Sequence, residues 1–383
     1  MILKMDWEIY IKFHQDVWRN SKNSFRHRLK INFMSFRIIY ILFLMSIIYT
    51  ASGQSNDNPS KNNFSYKQKV KTDSATIFGE GVITTPDDEF GGTITPDGKT
   101  CYFSKSAIQF YIDVICFSEY KNGKWQTPKV APFSGVYRDF DPVLSPDGNK
   151  MVFTSNRPVN GVLKSDYDIW MVEKNKNENW TEPVRLDTTI NGEYDEHFAS
   201  IASNGTIYFS SNRPGALGGP GDADFYYSKL VNGHYAEAIH LLDSVSTTAY
   251  ELDCVIAPDE SFLLMGVYGQ KDGLGNYDIY ISKKIDGKWT PSKNLGAKVN
   301  SSFRDYSPRI SPDDKYLFFT SERDFSESDK TITTYQELES KLHGIMNGSG
   351  NIYQIELSAL GISQPINKSI RPAPVAGQTV KRH

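Results

Sequence analysis

Five short turns recur along the chain: Pro96-Asp97-Gly98, Pro146-Asp147-Gly148, Ser203-Asn204-Gly205, Pro258-Asp259-Glu260 and Pro312-Asp313-Asp314, spaced by 50, 57, 55 and 54 residues. A period in the forties to fifties with only strand signals inside it restricts the chain to few architectures, and propeller blades satisfy it better than a helical solenoid. The position two residues before each turn is β-branched or Leu: Ile94, Leu144, Ile201, Ile256 and Ile310. The strand after each turn aligns Phe103, Phe153, Phe209, Met265 and Phe319 in one column. A third strand follows as Asp113-Val-Ile, Asp168-Ile-Trp, Asp224-Phe-Tyr, Asp278-Ile-Tyr and Asn351-Ile-Tyr. A hairpin turn and an aromatic, ending at Trp125, Trp180, Tyr235 and Trp289, announce a fourth. The strands of one repeat are called a to d below.

The fifth copy has no such fourth strand, because the chain after Leu360 is a Pro-containing basic stretch without Trp. Residues 77–89 (IFGEGVITTPDDE) resemble the exit of strand d in other copies. An N-terminal strand d completing the last blade would lock the ring and leave no free sheet edge. The expected fold is therefore all-β, a five-bladed β-propeller of four-stranded antiparallel blades; a six-bladed ring is the alternative. The expected divisions are 1–53 (extension and signal peptide), 54–74 (polar linker), 75–360 (propeller) and 361–383 (flexible tail). An insertion at 324–350 separates strands b and c of the last blade. Within it TYQELESKLHGI predicts a short helix, with Thr333 or Thr334 as N-cap and Gly344 as stop.

Composition agrees with this reading. Aromatics are 13% of 383 residues, beside 28 glycines and 18 prolines, a mixture of strand and turn formers. The net charge of -3 supplies no field for nucleic acid, which is not expected as a partner. The apolar run Ile38 to Ala51 follows Arg37 and precedes Ser52-Gly53, which reads as a signal peptide cut before Gln54; an uncleaved anchor is the alternative. Met34 stands just ahead of it, so residues 1–33 are a candidate over-extended start. Cys101, Cys116 and Cys254 form no CxxC pair and are expected as buried free thiols, with a Cys101–Cys116 bridge as the alternative.

The hairpin Ser145-Pro146-Asp147-Gly148 through Phe153 to Ser155-Asn156-Arg157-Pro158, followed by Asp168-Ile169-Trp170, resembles the WD40-like propeller repeat of TolB-type periplasmic proteins over roughly residues 77–357. The resemblance implies a periplasmic or secreted envelope scaffold that binds a protein or glycan, without a cofactor. No membrane span is expected after signal cleavage, and a monomer is expected.

Three polar columns meet at the propeller face formed by the d-to-a and b-to-c loops, here called the upper face. Seven residues before each turn stand Glu89, Asp139, Glu196, Glu251 and Asp305. Arg157, Arg213 and Arg323 end strand b in three blades, while Lys105 and the uncharged Tyr268-Gly269 replace them in blades 1 and 4. The strand-c acids form the third column. Five carboxylates around a channel repel one another, so something must neutralise them. Either the arginines, with Arg138 and Arg304, pair with them structurally, or a partly open acid ring receives a cation or a basic segment of a partner. Glu89 and Glu251 are then the expected unpaired members. A glycoside hydrolase would use a carboxylate pair at the channel mouth, where Asp141 and Asp253 accompany Asp139 and Glu251, but these acids follow the repeat instead of breaking it. Asp195-Glu196-His197 is the nearest asymmetry, with His197 expected as a core residue. Gly215 to Gly221 lacks the Lys-Ser or Lys-Thr of a phosphate loop and reads as a flexible loop. No catalytic, metal or cofactor residue is assigned; the eight acids and arginines are candidate binding residues.

Overall fold

The computed structural model describes residues 73–107, 111–219, 221–241, 245–325 and 331–362. All belong to the compact unit Lys61–His383. The predicted signal peptide, nearly all of the linker and nearly all of the tail lie outside the described residues.

The first strand, β1 (Thr76–Ile77), belongs to the last sheet. Blade 1 contains β2 (Asp88–Ile94), β3 (Thr100–Ser106), β4 (Asp113–Lys121), the hairpin arm β5 (Lys124–Trp125) and β6 (Lys129–Val130). Blade 2 contains β7 (Asp139–Leu144), β8 (Lys150–Ser155), β9 (Asp168–Glu173) and β10 (Val184–Arg185). Blade 3 contains β11 (Glu196–Ile201), β12 (Ile207–Ser211), β13 (Asp224–Ser228), the hairpin β14 (Leu230–Val231) and β15 (His234–Tyr235), and β16 (Ile239–His240). Blade 4 contains β17 (Tyr250–Ile256), β18 (Phe262–Tyr268), β19 (Tyr277–Ile285), β20 (Lys288–Trp289) and β21 (Lys293–Asn294). Blade 5 contains β22 (Asp305–Ile310), β23 (Tyr316–Ser321) and β24 (Asn351–Glu356), and β1 pairs antiparallel with β24 as its fourth strand.

The fold is the five-bladed propeller that the turn spacing predicts, closed by the N-terminal strand. Five buried apolar clusters fill the spaces between blades, one per interface, which is the number a closed ring of five requires. Phe78 lies at the closing interface, fully buried, with its ring 4.8 Å from Phe318 of blade 5 and 5.7 Å from Trp125 of blade 1. The strand-b column Phe103, Phe153, Phe209, Met265 and Phe319 is buried throughout.

Strand d differs from expectation. The aromatics at Trp125, Tyr235 and Trp289 belong to short hairpin arms continuing strand c or, in blade 3, the hairpin just after it, and Trp180 makes only an isolated bridge. The outer ladder proper starts later and spans two residues per blade, as edge strands commonly do. The insertion forms helix α1 (Tyr335–Leu342), capped by Thr334 in a reciprocal capping box with Glu337.

Each strand a is kinked by a β-bulge just after its first polar residue. In four blades one bulge residue takes a left-handed conformation: Gly91 (φ 66°), Asp141 (56°), Phe198 (49°) and Ser307 (45°). Such bulges re-aim side chains, and here they turn the residues of the inner strand toward the channel axis. At the opposite, lower end of the channel, Gly148 closes its turn so tightly that a Cβ there would lie 2.5 Å from Pro96 of the neighbouring blade.

Candidate functional site

The five acids at the head of strand a are all completely buried: Glu89, Asp139, Glu196, Glu251 and Asp305. Three share one arrangement. Asp139 accepts from Ser134 Oγ (2.9 Å), Ser155 Oγ (2.7 Å) and Arg157 Nη2 (2.9 Å). Glu196 accepts from the Gly192 amide (2.8 Å), Ser211 Oγ (2.8 Å) and Arg213 Nη2 (3.1 Å). Asp305 accepts from Ser301 Oγ (2.8 Å) and Arg323 Nη2 (2.9 Å). Each arginine also donates to a carbonyl of the preceding d-to-a loop, at Phe133, Ile190 or Val299. Its guanidinium stacks on the strand-b aromatic and the strand-c aromatic of its own blade, as Arg213 does on Phe209 (5.2 Å) and Tyr226 (4.8 Å). Two of the polar columns, the strand-a acids and the strand-b arginines, thus form in these three blades one device that fastens strand a to strand b and to the loop above.

Blades 1 and 4 solve the charge differently. Lys105, directly opposite Glu89 in the ladder and so two residues ahead of the arginine position, donates to Glu89 Oε1 at 2.7 Å, and Thr85 supplies an amide and a hydroxyl. Glu89 is therefore paired. Glu251 has no cation partner: it accepts from the Thr247 amide, and its buried Oε2 has no partner. Burial raises the Glu251 carboxyl to about 8, against hydrogen bonds from Thr247 that lower it. Desolvation likewise raises Asp139 and Glu196, with their arginines opposing the rise.

The strand-c column divides in two. Asp113 pairs with Arg138 (2.7 Å), and Asp168 with Arg185 (2.8 Å) and Lys164 (2.8 Å). Asp224 meets His240 (2.7 Å) and the Leu217 amide, while Asp278 and Asn351 accept backbone amides of their own loops. Arg138 and Arg304 do not serve the strand-a acids: Arg304 pairs with Glu322 at 3.0 Å. His197 packs between Tyr167 and Phe198, and desolvation lowers it to about 4, so the imidazole is neutral.

None of the five acids at the head of strand a borders the cavity at the upper channel mouth. That cavity, about 90 Å³, is walled by Phe90, Phe140, Phe198, Leu252, Tyr277 and Tyr306, with Arg138, Arg304, Asp113 and Asp253 as its polar members. Beneath it the channel narrows at a polar waist. Arg309 Nη2 meets Asp141 Oδ1 at 2.5 Å, and Ser307 Oγ lies 3.1 Å from Asp141 Oδ1 and 3.3 Å from Asp253 Oδ1. All four residues are buried. Below the waist a second cavity of about 310 Å³ opens between the turns, lined by Pro96, Pro146, Pro258, Pro312 and Arg309. The waist breaks the repeat. Arg309 occupies the column held by Thr93, Val143, Ser200 and Val255, and that lone charge was its available signal in the sequence.

The upper face also carries most of the exposed large apolar side chains among the described residues. All five b-to-c connections contribute: Tyr111 and Ile112, Val162 and Leu163, Leu217, Leu274, and Ile332, Tyr335 and Leu342. Val136 and Tyr194 in d-to-a loops and Tyr268 at the end of strand b add to them. The lower face shows Leu230, Val231 and Ile285, and the outer strands Val130, Val184 and Ile239.

No family model and no curated protein matches the chain. Among solved structures it is similar to a protein of unknown function from Dyadobacter fermentans DSM 18053 (12% identity, 66% of this chain and 80% of that one, TM-score 0.42). It is also similar to a putative TolB from Agrobacterium tumefaciens (14%, 71% and 91%, TM-score 0.36) and to BT0996 in a structure described as an RGII complex (10%, 80% and 96%, TM-score 0.48). At such identities the likeness is one of backbone course. The class of the protein, an all-β five-bladed propeller, rests on its own sheet topology. The three cysteines are buried free thiols, and among the described residues no helix is long and apolar enough to cross a membrane.

Proposed function

We propose that the chain is a non-catalytic binding scaffold of the cell envelope, periplasmic or secreted, with TolB-like WD40-type repeats, that holds a protein partner on its upper face. The observation carrying this reading is the uneven distribution of exposed apolar side chains. Scattered exposed leucines need no explanation, but a face to which every b-to-c loop adds one or more does. Most of these side chains are aliphatic. The four tyrosines, Tyr111, Tyr194, Tyr268 and Tyr335, stand on four separate elements. Ion-paired acids beneath the loops give that face a rigid base, and the loops themselves vary from blade to blade, which suits specificity. The leader read at Ile38 to Ala51 supports export.

The glycosidase alternative calls for a carboxylate pair free of arginine. Asp141 is held by Arg309, so the Asp141–Asp253 pair does not meet that condition.

Co-purification from solubilised envelope extract tests the reading. Val136→Asp with Leu163→Asp, both well exposed on the upper face, is expected to reduce recovery of the bound protein about tenfold or more without lowering the melting temperature. Ile285→Asp on the lower face should leave recovery unchanged. Equal recovery with the unaltered protein and both variants, or a loss confined to Ile285→Asp, would refute it.

A further inference from the structure

The channel mouth has a construction that the docking face does not explain. Four successive blades each place one aromatic ring around it: Tyr306, Phe90, Phe140 and Phe198, with Leu252 of blade 4 closing the circuit. Neighbouring centroids are 6.2 Å (Tyr306–Phe90), 6.3 Å (Phe90–Phe140) and 6.1 Å (Phe140–Phe198) apart. A five-membered circuit with edges of that length puts its axis about 5 Å from each centroid, inside the range at which a ring face attracts a cation. Phe198 reaches this position from a left-handed backbone conformation, which a bulky side chain adopts only under constraint.

The floor of this collar is Asp253, almost wholly buried. Just behind it lies Asp141, which shares the Ser307 hydroxyl with Asp253. One guanidinium, Arg309, serves this pair of carboxylates, and it is held by Asp141 and by the Pro308 carbonyl. Asp141 Oδ2 is buried with no partner. The two other arginines at the cavity wall are tied to carboxylates of their own, Arg138 to Asp113 and Arg304 to Glu322. Arg304 already lies over the Tyr306 ring (5.3 Å), so Phe90, Phe140 and Phe198 are the rings left to a ligand. The waist therefore holds two carboxylates to one guanidinium beneath an aromatic collar, in a cavity of about 90 Å³. The space suits a small cationic head.

We propose that the channel mouth binds a single ammonium group, primary or methylated, which lies inside the aromatic collar and pairs with Asp253. The cation completes the charge of the waist, and the rings replace part of its hydration. The group comes either from a free small amine or from a lysine side chain, and both present the same chemistry to the site. The proposal stands apart from the docking reading, because a free amine needs no partner on the upper face.

NMR titration of the full chain in sodium buffer tests this, with tetramethylammonium as the probe and tert-butanol as its uncharged counterpart. The folded protein is expected to bind the cation at least tenfold more tightly than the alcohol. Phe140→Leu is a mild change, since Leu252 already fills the equivalent wall in blade 4, and it should weaken cation binding several-fold while the protein stays folded. Asp253→Asn should weaken it about tenfold with no loss of melting temperature. Methylammonium and Nα-acetyl-lysine methylamide distinguish the sources: tighter binding of the lysine derivative assigns the site to a peptide, tighter binding of methylammonium to a free amine, and either order upholds an ammonium site. Equal affinity for tert-butanol, unchanged binding by both folded variants, or no uptake of either tetramethylammonium or methylammonium overturns the proposal.

Discussion

A polypeptide starting after Thr84 is expected to lose cooperative folding altogether. That deletion removes β1, the fourth strand of blade 5, and exposes the backbone edge of β24. It also removes Phe78 and Ile83, both fully buried in the cluster between blades 5 and 1. The single substitution Phe78→Ala already forfeits contacts with Phe318 and Trp125 and should cost about 3–5 kcal/mol, a large part of the total stability of an ordinary domain. In thermal unfolding this corresponds to a fall of about 10 °C, while full deletion should leave no sharp transition. A truncated protein that melts at the temperature of the full-length one would mean that the ring is not closed by its N-terminal strand.

The second large effect concerns the acid column, where two substitutions should act in opposite directions. Arg157→Met leaves Asp139 completely buried without its cation, and breaking a buried pair in this way costs about 3–5 kcal/mol. Glu251→Gln removes a carboxylate that has no cation to lose and is expected to stabilise. The sign follows from linkage. Glu251 titrates near 8 in the folded protein, against an ordinary value of 4.5, so between these limits the folded state holds a proton that the unfolded state has released. Stability therefore falls as pH rises from about 4.5 to about 8. Asp253, raised by burial and by Asp141 from 3.8 to about 7, adds a fall of the same sign over its own window. Melting curves of the unaltered protein should shift downward between pH 5 and pH 8, and those of Glu251→Gln should shift less. Above pH 8 the variant should be the more stable by an amount on the order of a few kcal/mol. Destabilisation by Glu251→Gln at pH 8 would contradict this account of the column.

The blade count and the ring closure were legible because they are periodic. Each turn lies between two strands of defined alternation, and the closing segment repeats the exit of strand d found elsewhere. Helix α1 was legible for a local reason, the reciprocal cap of Thr334 and Glu337. Strand d was placed too early because an aromatic after a tight turn looks alike whether it extends the c-to-d hairpin or starts an outer strand, and only packing against the neighbouring blade decides. The acids and arginines were legible as columns, and their pairing followed from charge. Glu89 reads in the sequence as unpaired because blade 1 lacks the arginine, and the column comparison overlooks that Lys105, two residues earlier, faces Glu89 directly in the ladder.

The waist was only half legible. Asp141 and Asp253 stand out beside the strand-a acids but read there as following the repeat, whereas their column of Gly91, Asp141, Phe198, Asp253 and Ser307 breaks it. Ser307 and Arg309, from a third blade far along the chain, match no other residue in their columns. A search for shared columns discards such departures. Only the bulges, which swing the inner-strand residues to the axis, bring them together. Phe198 shows the same effect: the aligned column contains His197, yet it is the next residue whose ring enters the mouth.

The central claim is that a rigid closed ring presents its upper loops to a protein partner. Hydrogen–deuterium exchange of the protein alone and with its co-purified partner tests it most directly. The account predicts slowed exchange in loops 131–138, 156–167, 186–195 and 269–276, with the turns at 95–99, 145–149 and 311–315 unchanged. Slowed exchange confined to those turns, or to the c-to-d hairpins beside them, would contradict it.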